Sequence, residues 1–285
     1  MKRINPPNFS VAEVYPLCIS KVRNPALKNR LSLCIPSIET AEAEFVSIKP
    51  TNQLFKIARE NVVNLNVPKS ELIKVYTDRM VKADSPGRKY YNKIFLSANN
   101  GVCPFCEDRL VSTLDHYLAK SHYPKLTVTP LNLIPACHEC NKAKTSDFPK
   151  ISSEEFIHPY FDDISRYSWL KAKIVTKEPL TLEYTVVNNP NYSPLLNQRI
   201  KFHFKNMNLA NLYSLRAISE IIIFKSNIKN FTEKYSSLEI KDLISINYKS
   251  QFEMNKNHWR TAFYEALIND KWFISTGYKT KNTYT

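Results

Sequence analysis

Two cysteine pairs constrain this chain more than any other feature. Cys103-Pro104-Phe105-Cys106 and Cys137-His138-Glu139-Cys140 are C-x2-C pairs, with 30 residues between Cys106 and Cys137. A C-x2-C turn lets two thiolates meet one ion, and two such turns complete a tetrahedron. The pattern therefore reads as a structural Zn²⁺ site with Cys103, Cys106, Cys137 and Cys140 as ligands. One pair alone reads equally well as a redox couple or as ordinary buried cysteines; two pairs in this arrangement favour zinc. Cys18 and Cys34 have no such neighbours and are expected as small buried hydrophobes. His138, inside the second pair, is a potential replacement ligand, but with four cysteines present it is expected on the surface.

A zinc ribbon alone is a staple, and the residues between and after the pairs carry the chemistry. A strand-like run, Leu110-Val111-Ser112-Thr113-Leu114, leads into Asp115-His116. The loop Thr129-Pro130-Leu131-Asn132-Leu133-Ile134-Pro135 precedes the second pair, and Asn141 follows Cys140 directly. Cys137 to Lys144 should open a helix that ends at Thr145-Ser146-Asp147, giving the order strand, loop, strand, helix. An imidazole titrates near neutral pH, which makes His116 the natural general base. The Asp115 carboxylate and the Asn141 amide oxygen are hard donors of the kind that suit Mg²⁺ or Mn²⁺. Lys142 and Lys144 are candidate phosphate contacts, weighed evenly against plain surface charge. His122 is expected as a solvated loop histidine.

From about Gly101 to Ser146, roughly 45 of 285 residues, the segment resembles the HNH (His-Me finger, ββα-metal) endonuclease family in its four-cysteine zinc subclass. The cysteine pairs, Asp115-His116, Asn132-Leu133 and the Cys140-Asn141-x-x-Lys144 ending carry the resemblance. The third motif position is Asn141 rather than His, a variant that still offers an oxygen to a metal. The resemblance implies one-metal hydrolysis of DNA, most readily double-stranded, leaving a 5′-phosphate and a 3′-hydroxyl. It also implies that Asn132 braces the loop rather than binding metal. The residues His116, Asn132, Asp115 and Asn141 would then be the catalytic set. Stand-alone proteins of this kind with large helical flanks resemble effectors of bacterial anti-phage or restriction systems, working beside an ATPase or other partner. No Gly-x4-Gly-Lys-Ser/Thr occurs here, so a nucleotide-driven step would come from another protein. A non-catalytic zinc-finger nucleic-acid-binding module and an RNA-directed nuclease are the alternatives.

The flanks bear on where nucleic acid would be held. The net charge is +14, and it is spread unevenly: +8 over residues 1–95, +1 over 96–150 and +5 over 151–285. A basic excess suits a polyanion, because cations placed near phosphates release counterions. The central segment is nearly neutral, so grip and target choice are expected from the flanks. Proline at 6, 7 and 16 predicts an irregular or short helical lead-in over residues 1–24. Helices are predicted through Leu54, Ile57, Ala58 and Val62, through Leu72, Val75, Tyr76 and Met80, and through Tyr90, Tyr91, Ile94 and Phe95. Residues 169–175 and 180–186 alternate as a strand pair, and long helices follow over 208–231, 237–256 and 258–268. Ile221-Ile222-Ile223-Phe224 is apolar around most of its circumference and predicts a buried helix. The segment His158-Pro159-Tyr160-Phe161-Asp162-Asp163 is expected to dock the finger on the C-terminal helices. The expected fold class is α+β: a mostly helical chain with a central zinc-stabilised finger and a small strand pair after it. Its regions are an N-terminal basic part (1–98), the finger (99–150) and a C-terminal mainly helical part (151–285). No run approaches the ~20 apolar residues of a membrane span and no signal-like h-region follows Met1, so a cytoplasmic protein is expected.

Overall fold

The first helix, α1 (Val11–Ile19), starts where the Glu13 carboxylate accepts the Ser10 N–H at 3.1 Å, half of a reciprocal cap. It runs straight through Pro16, where the sequence predicts a break. An interior proline costs ~3 kcal/mol. Val11, Val14 and Ile19 are buried, with Tyr15 and Cys18 beside them. At ~1.5–3 kcal/mol for each aliphatic side chain, that burial prevails. Two more helices follow, α2 (Pro25–Ser32), capped by the Asn24 side chain, and α3 (Ile35–Ile48).

The helix predicted through Leu54, Ile57, Ala58 and Val62 does not form. Pro50 and the left-handed Asn52 (φ 53°) stop the chain after α3. The Leu54 N–H donates to the Glu155 carboxylate at 2.6 Å, and β1 (Val62–Val63) pairs antiparallel with β2 (Val67–Pro68). The chain makes only a 3₁₀ turn over Leu54–Lys56 and leaves it at Ile57, which is extended (ψ 128°). The next two predictions hold: α4 (Lys69–Arg79) buries Leu72, Val75 and Tyr76, and α5 (Arg88–Phe95) buries Tyr90, Tyr91 and Ile94.

After a turn at 99–101, β3 (Thr113–His116) and β4 (Leu133–Ala136) pair antiparallel, with Asp115 opposite Ile134 and His116 opposite Leu133. Strand β3 starts later than predicted, because Leu110 bridges back to Val102 inside the first cysteine turn. Helix α6 (His138–Lys144) completes the strand, loop, strand, helix order; Ser146 and Asp147 of its expected end lie outside the described residues. Leu114, Val128 and Leu133 belong to the same core as Val14, Cys18, Leu72, Val75 and Tyr91. The regions 1–98 and 99–150 therefore share one core. The computed structural model describes residues 2–145, 148–229 and 236–280. It divides into two compact units, Arg3–Asp163 and, with Met1–Lys2, Ile164–Thr285.

The second unit opens with the predicted antiparallel pair, β5 (Leu170–Lys177) and β6 (Leu180–Val186). Then come α7 (Pro194–Asn206), α8 (Leu209–Lys229), α9 (Ser237–Met254), α10 (Trp259–Asn269) and α11 (Lys271–Ser275); positions 230–231 of the predicted 208–231 helix lie outside the described residues. Trp259, Phe263, Tyr264 and Leu267 form a buried face as expected. Helix α8 departs from expectation: Ile221 and Phe224 are buried, but Ile223 is 56% exposed, so the helix is packed on one side only. The whole is an α+β chain dominated by helices. Among the described residues no helix is long and apolar enough to cross a membrane.

Candidate metal centre and active site

The two cysteine turns bring four sulfurs into one buried spot. The Sγ atoms of Cys103, Cys106, Cys137 and Cys140 all lie within 4.8 Å of one another, and none is in a disulfide. Four thiolates around one Zn²⁺ at ~2.3 Å would stand about 3.8 Å apart, so a slight contraction suffices. In the first turn the Cys103 N–H donates to the Arg109 carbonyl at 2.8 Å, and the Glu107 N–H to the Cys103 carbonyl at 2.7 Å. In the second, the Cys140 N–H points at the Cys137 sulfur at 3.3 Å. Arg109 and Glu139 pair across the two turns at 3.7 Å. Hydrogen bonding with Cys103 pulls the Cys106 thiol down and the Cys137 thiol to about 6. Hydrogen bonding with Cys106 pushes Cys103 up, and with Cys103 pushes Cys140 up. Buried sulfurs competing for protons at one point are a donor set that a cation satisfies, and the set suits Zn²⁺.

Strand β3 carries Asp115 and His116 side by side, and pleating sends neighbours to opposite faces. His116 shares its face with Leu114 and meets Tyr76 of α4 edge-on, ring centroids 4.4 Å apart. Its Nε2 lies 2.9 Å from the Thr127 carbonyl. A carbonyl only accepts, so Nε2 carries the hydrogen and Nδ1 keeps its lone pair. Burial, with Lys120 adding to it, pushes the imidazole down to about 3, well below the near-neutral value expected from the sequence; the ring is neutral at ordinary pH but a weaker base than a free imidazole.

Asp115 faces α6. Lys144 Nζ stands 3.1 Å from its Oδ2 and donates to the His116 carbonyl at 2.6 Å. Burial raises the Asp115 carboxyl, against the opposing pull of Lys144 and Lys120. Oδ2 is buried yet accepts no hydrogen bond, the Lys144 contact lying outside hydrogen-bond geometry. A hard oxygen with an unused lone pair is a donor that Mg²⁺ or Mn²⁺ can use. Asn141, half-buried on α6, stands three residues before Lys144, a spacing that makes the two neighbours on the helix surface.

Asn132 spends every polar atom of its side chain on the β3–β4 connection. Its Oδ1 accepts the Leu118 N–H at 2.7 Å, and its Nδ2 donates to the Leu118 and Leu126 carbonyls at 3.0 Å each. Thr127, which holds His116, follows Leu126 directly. Of the two lysines weighed evenly between phosphate contact and plain surface charge, Lys142 is exposed, whereas Lys144 is buried. The physical reason is the Asp115 carboxylate: an unpaired buried charge is costly, so the lysine turns inward to it. His138 is exposed, as expected.

The 158–163 segment is placed differently from expectation. His158 is buried beside Tyr117 and Phe45, at ring separations of 4.2 and 6.0 Å. Tyr160 donates its hydroxyl to the Leu133 carbonyl at 2.8 Å, and Asp162 pairs with Lys49 at 3.4 Å. The segment therefore straps β4 to α3 within its own unit. Sequence reasoning missed Tyr76 and Lys120, whose ammonium lies 5.1 Å from the Tyr76 ring centre. Lys120 has one faint signal, its place four residues after His116. Tyr76 has none, since nothing in a sequence links it to a strand forty residues on.

Compared with known proteins, the chain is 29% identical over 294 residues to Protein ea31 of Escherichia phage lambda, covering 96% of this chain and 99% of that protein. It is 36% identical over 87 residues to the Septu protein PtuB of Bacillus thuringiensis, a stretch spanning 28% of this chain and 33% of that protein. No family model matches, and no solved structure does.

Proposed function

We propose that this chain is a metal-dependent HNH endonuclease that hydrolyses phosphodiester bonds of DNA. The observation that supports it most is the tautomer lock on His116: Thr127 holds Nε2–H and leaves Nδ1 as a neutral base, on the strand that also carries the buried Asp115. In the proposed step Nδ1 takes a proton from water as the water oxygen bonds to phosphorus. The bond from phosphorus to the 3′-oxygen breaks, its electron pair leaves with that oxygen, and solvent supplies the oxygen's proton. Mg²⁺ or Mn²⁺, when bound, supplies Lewis-acid polarisation of the phosphate and neutralises the leaving oxygen. Asp115 and Asn141 are the residues that would hold it. Asn132 positions the loop that positions His116, and the four cysteines tie the start of β3 to the start of α6 through zinc.

The setting we infer is a bacterial defence or restriction system, with an ATPase or other partner protein supplying what this chain lacks. Partial similarity to a Septu protein supports that setting. The test is incubation with supercoiled plasmid, linear duplex, single-stranded DNA and RNA, under Mg²⁺, Mn²⁺ or EDTA, beside a His116→Ala control. Metal-dependent nicking is expected, with loss of at least ~100-fold in the variant. A folded, zinc-loaded His116→Ala protein that still cut at the wild-type rate would overturn the assignment. Cleavage confined to RNA would redirect it to the RNA alternative, and binding without cleavage to the zinc-finger module.

A further inference from the structure

A polar cleft of about 320 Å³ opens in the unit Arg3–Asp163, between Arg59, Glu60, Asn61 and His122. Phe148 organises it. The Arg59 guanidinium lies 3.8 Å from the Phe148 ring centre, and His122 meets that ring edge-on at 5.3 Å. Arg59 is exposed, and this stacking is its sole contact of these kinds among the described residues, so its guanidinium N–H donors are uncommitted. Stacking holds the fork in one plane without using a single donor.

The other lining groups follow the same sense. The Asn61 side-chain Oδ1 is taken by Lys69 Nζ at 2.8 Å, which leaves the amide N–H₂ as the group of that side chain with donors to offer. The Glu60 carboxylate, the one acid among the described residues that line the cleft, is neutralised by Lys125 at 2.7 Å, and its second oxygen is sealed from solvent. The Glu60 N–H donates to the His122 carbonyl at 3.1 Å, which joins the two walls. What remains available is a planar cation and an array of donors. That is the complement of a tetrahedral oxyanion. His122 also lies on the β3–β4 connection, the loop whose Thr127 carbonyl fixes His116.

We propose that Arg59, Asn61 and His122 form a second phosphate subsite, which takes a backbone phosphodiester of the strand that His116 attacks. This rests on the nuclease reading for the identity of the strand, while the anion site itself stands on the cleft. A nucleic acid engaged at His116 offers a phosphate at every nucleotide, and a cleft larger than one anion leaves room for the sugar on either side.

The test is fluorescence anisotropy of labelled duplex and single strand on the full-length, zinc-loaded protein. A His116→Ala background stops cleavage during the measurement. Adding Arg59→Ala should weaken binding roughly tenfold whatever the sequence, and should reduce the slope of log affinity against log salt by about one. Arg59→Lys should restore the slope but not the full affinity, because the fork is lost. His122→Gln, which keeps a donor, should fall between. Unchanged affinity and slope in Arg59→Ala overturn the proposal. If Arg59→Ala fails to fold, unchanged affinity in both Arg59→Lys and His122→Gln overturns it instead. Inorganic phosphate and a mononucleotide are run as competitors. Displacement of the strand by either at micromolar concentration would make this a free-anion site and reject the strand. Arg59-dependent binding in a wild-type protein that cuts nothing would sink the nuclease reading while leaving the anion site in place.

Discussion

Lys144 joins α6 to β3 through charge. Its side chain and that of Asp115 are each 4% exposed, so the ammonium and the carboxylate depend on each other for solvation. Removing one partner of such a pair typically costs ~3–5 kcal/mol, because the other charge stays buried. Lys144→Met is therefore expected to lower unfolding stability by about that much in a denaturant titration. A change below ~0.5 kcal/mol would show that the pair bears no structural load. Asn132→Ala should cost ~2–4 kcal/mol, since it leaves the Leu118 N–H and the Leu118 and Leu126 carbonyls without their partner. A melting temperature equal to wild type would contradict that. At this scale the sequence was legible for the cysteines that cluster and for Asn132, which braces its loop, because their types and spacing are tied to chemistry. It was mute on the direction of Lys144, because a lysine near a helix end reads the same whether it meets solvent or a buried acid.

Two helix starts show how elements are held. Before α5, a Cβ on Gly87 would lie 2.5 Å from the Cys18 sulfur and 2.6 Å from the Arg79 carbonyl. Gly87→Ala should therefore push α5 away from α1 and α4 and lower the melting temperature, in contrast to the usual stabilisation from glycine to alanine. A variant as stable as wild type would mean that the contact relaxes freely. At α9, the Ser236 hydroxyl and N–H hold the Glu239 carboxyl below its usual range. A lowered folded value means that this contribution is present above the unfolded pKa and is lost as pH falls through the folded one. Thermal melts should show wild type and Glu239→Gln converging in acid and separating at neutral pH; a gap that did not change with pH would refute it. Periodicity found most helices, because amphipathic spacing is a local property. It failed at Leu54–Val62, where the chain leaves a 3₁₀ turn at an extended Ile57 and then pairs as β1 and β2. The break expected at Pro16 does not occur, because the core around Val14 outweighs the local cost of the proline.

Within the unit Arg3–Asp163, Leu114, Val128 and Leu133 of the finger lie in one core with the N-terminal helices. Zinc removal is therefore expected to disturb more than the cysteine turns. A strong chelator, or Cys137→Ser, should lower amide-exchange protection in α4 and α5 as well as in β3 and β4, given that structural zinc supplies on the order of 10 kcal/mol of folding free energy. Protection lost in the cysteine turns alone would show that the shared core stands without the metal. By itself the sequence singled out the four cysteines that cluster and the order of elements around them, because these depend on residue type and short spacing. The tertiary structure alone decided that Tyr76 backs His116, that Lys144 turns inward to Asp115, and that Arg59, Asn61 and His122 share a cleft. Those contacts join residues that are tens of positions apart, and they follow from which buried charges and backbone groups find partners when the core closes. No local pattern records that outcome.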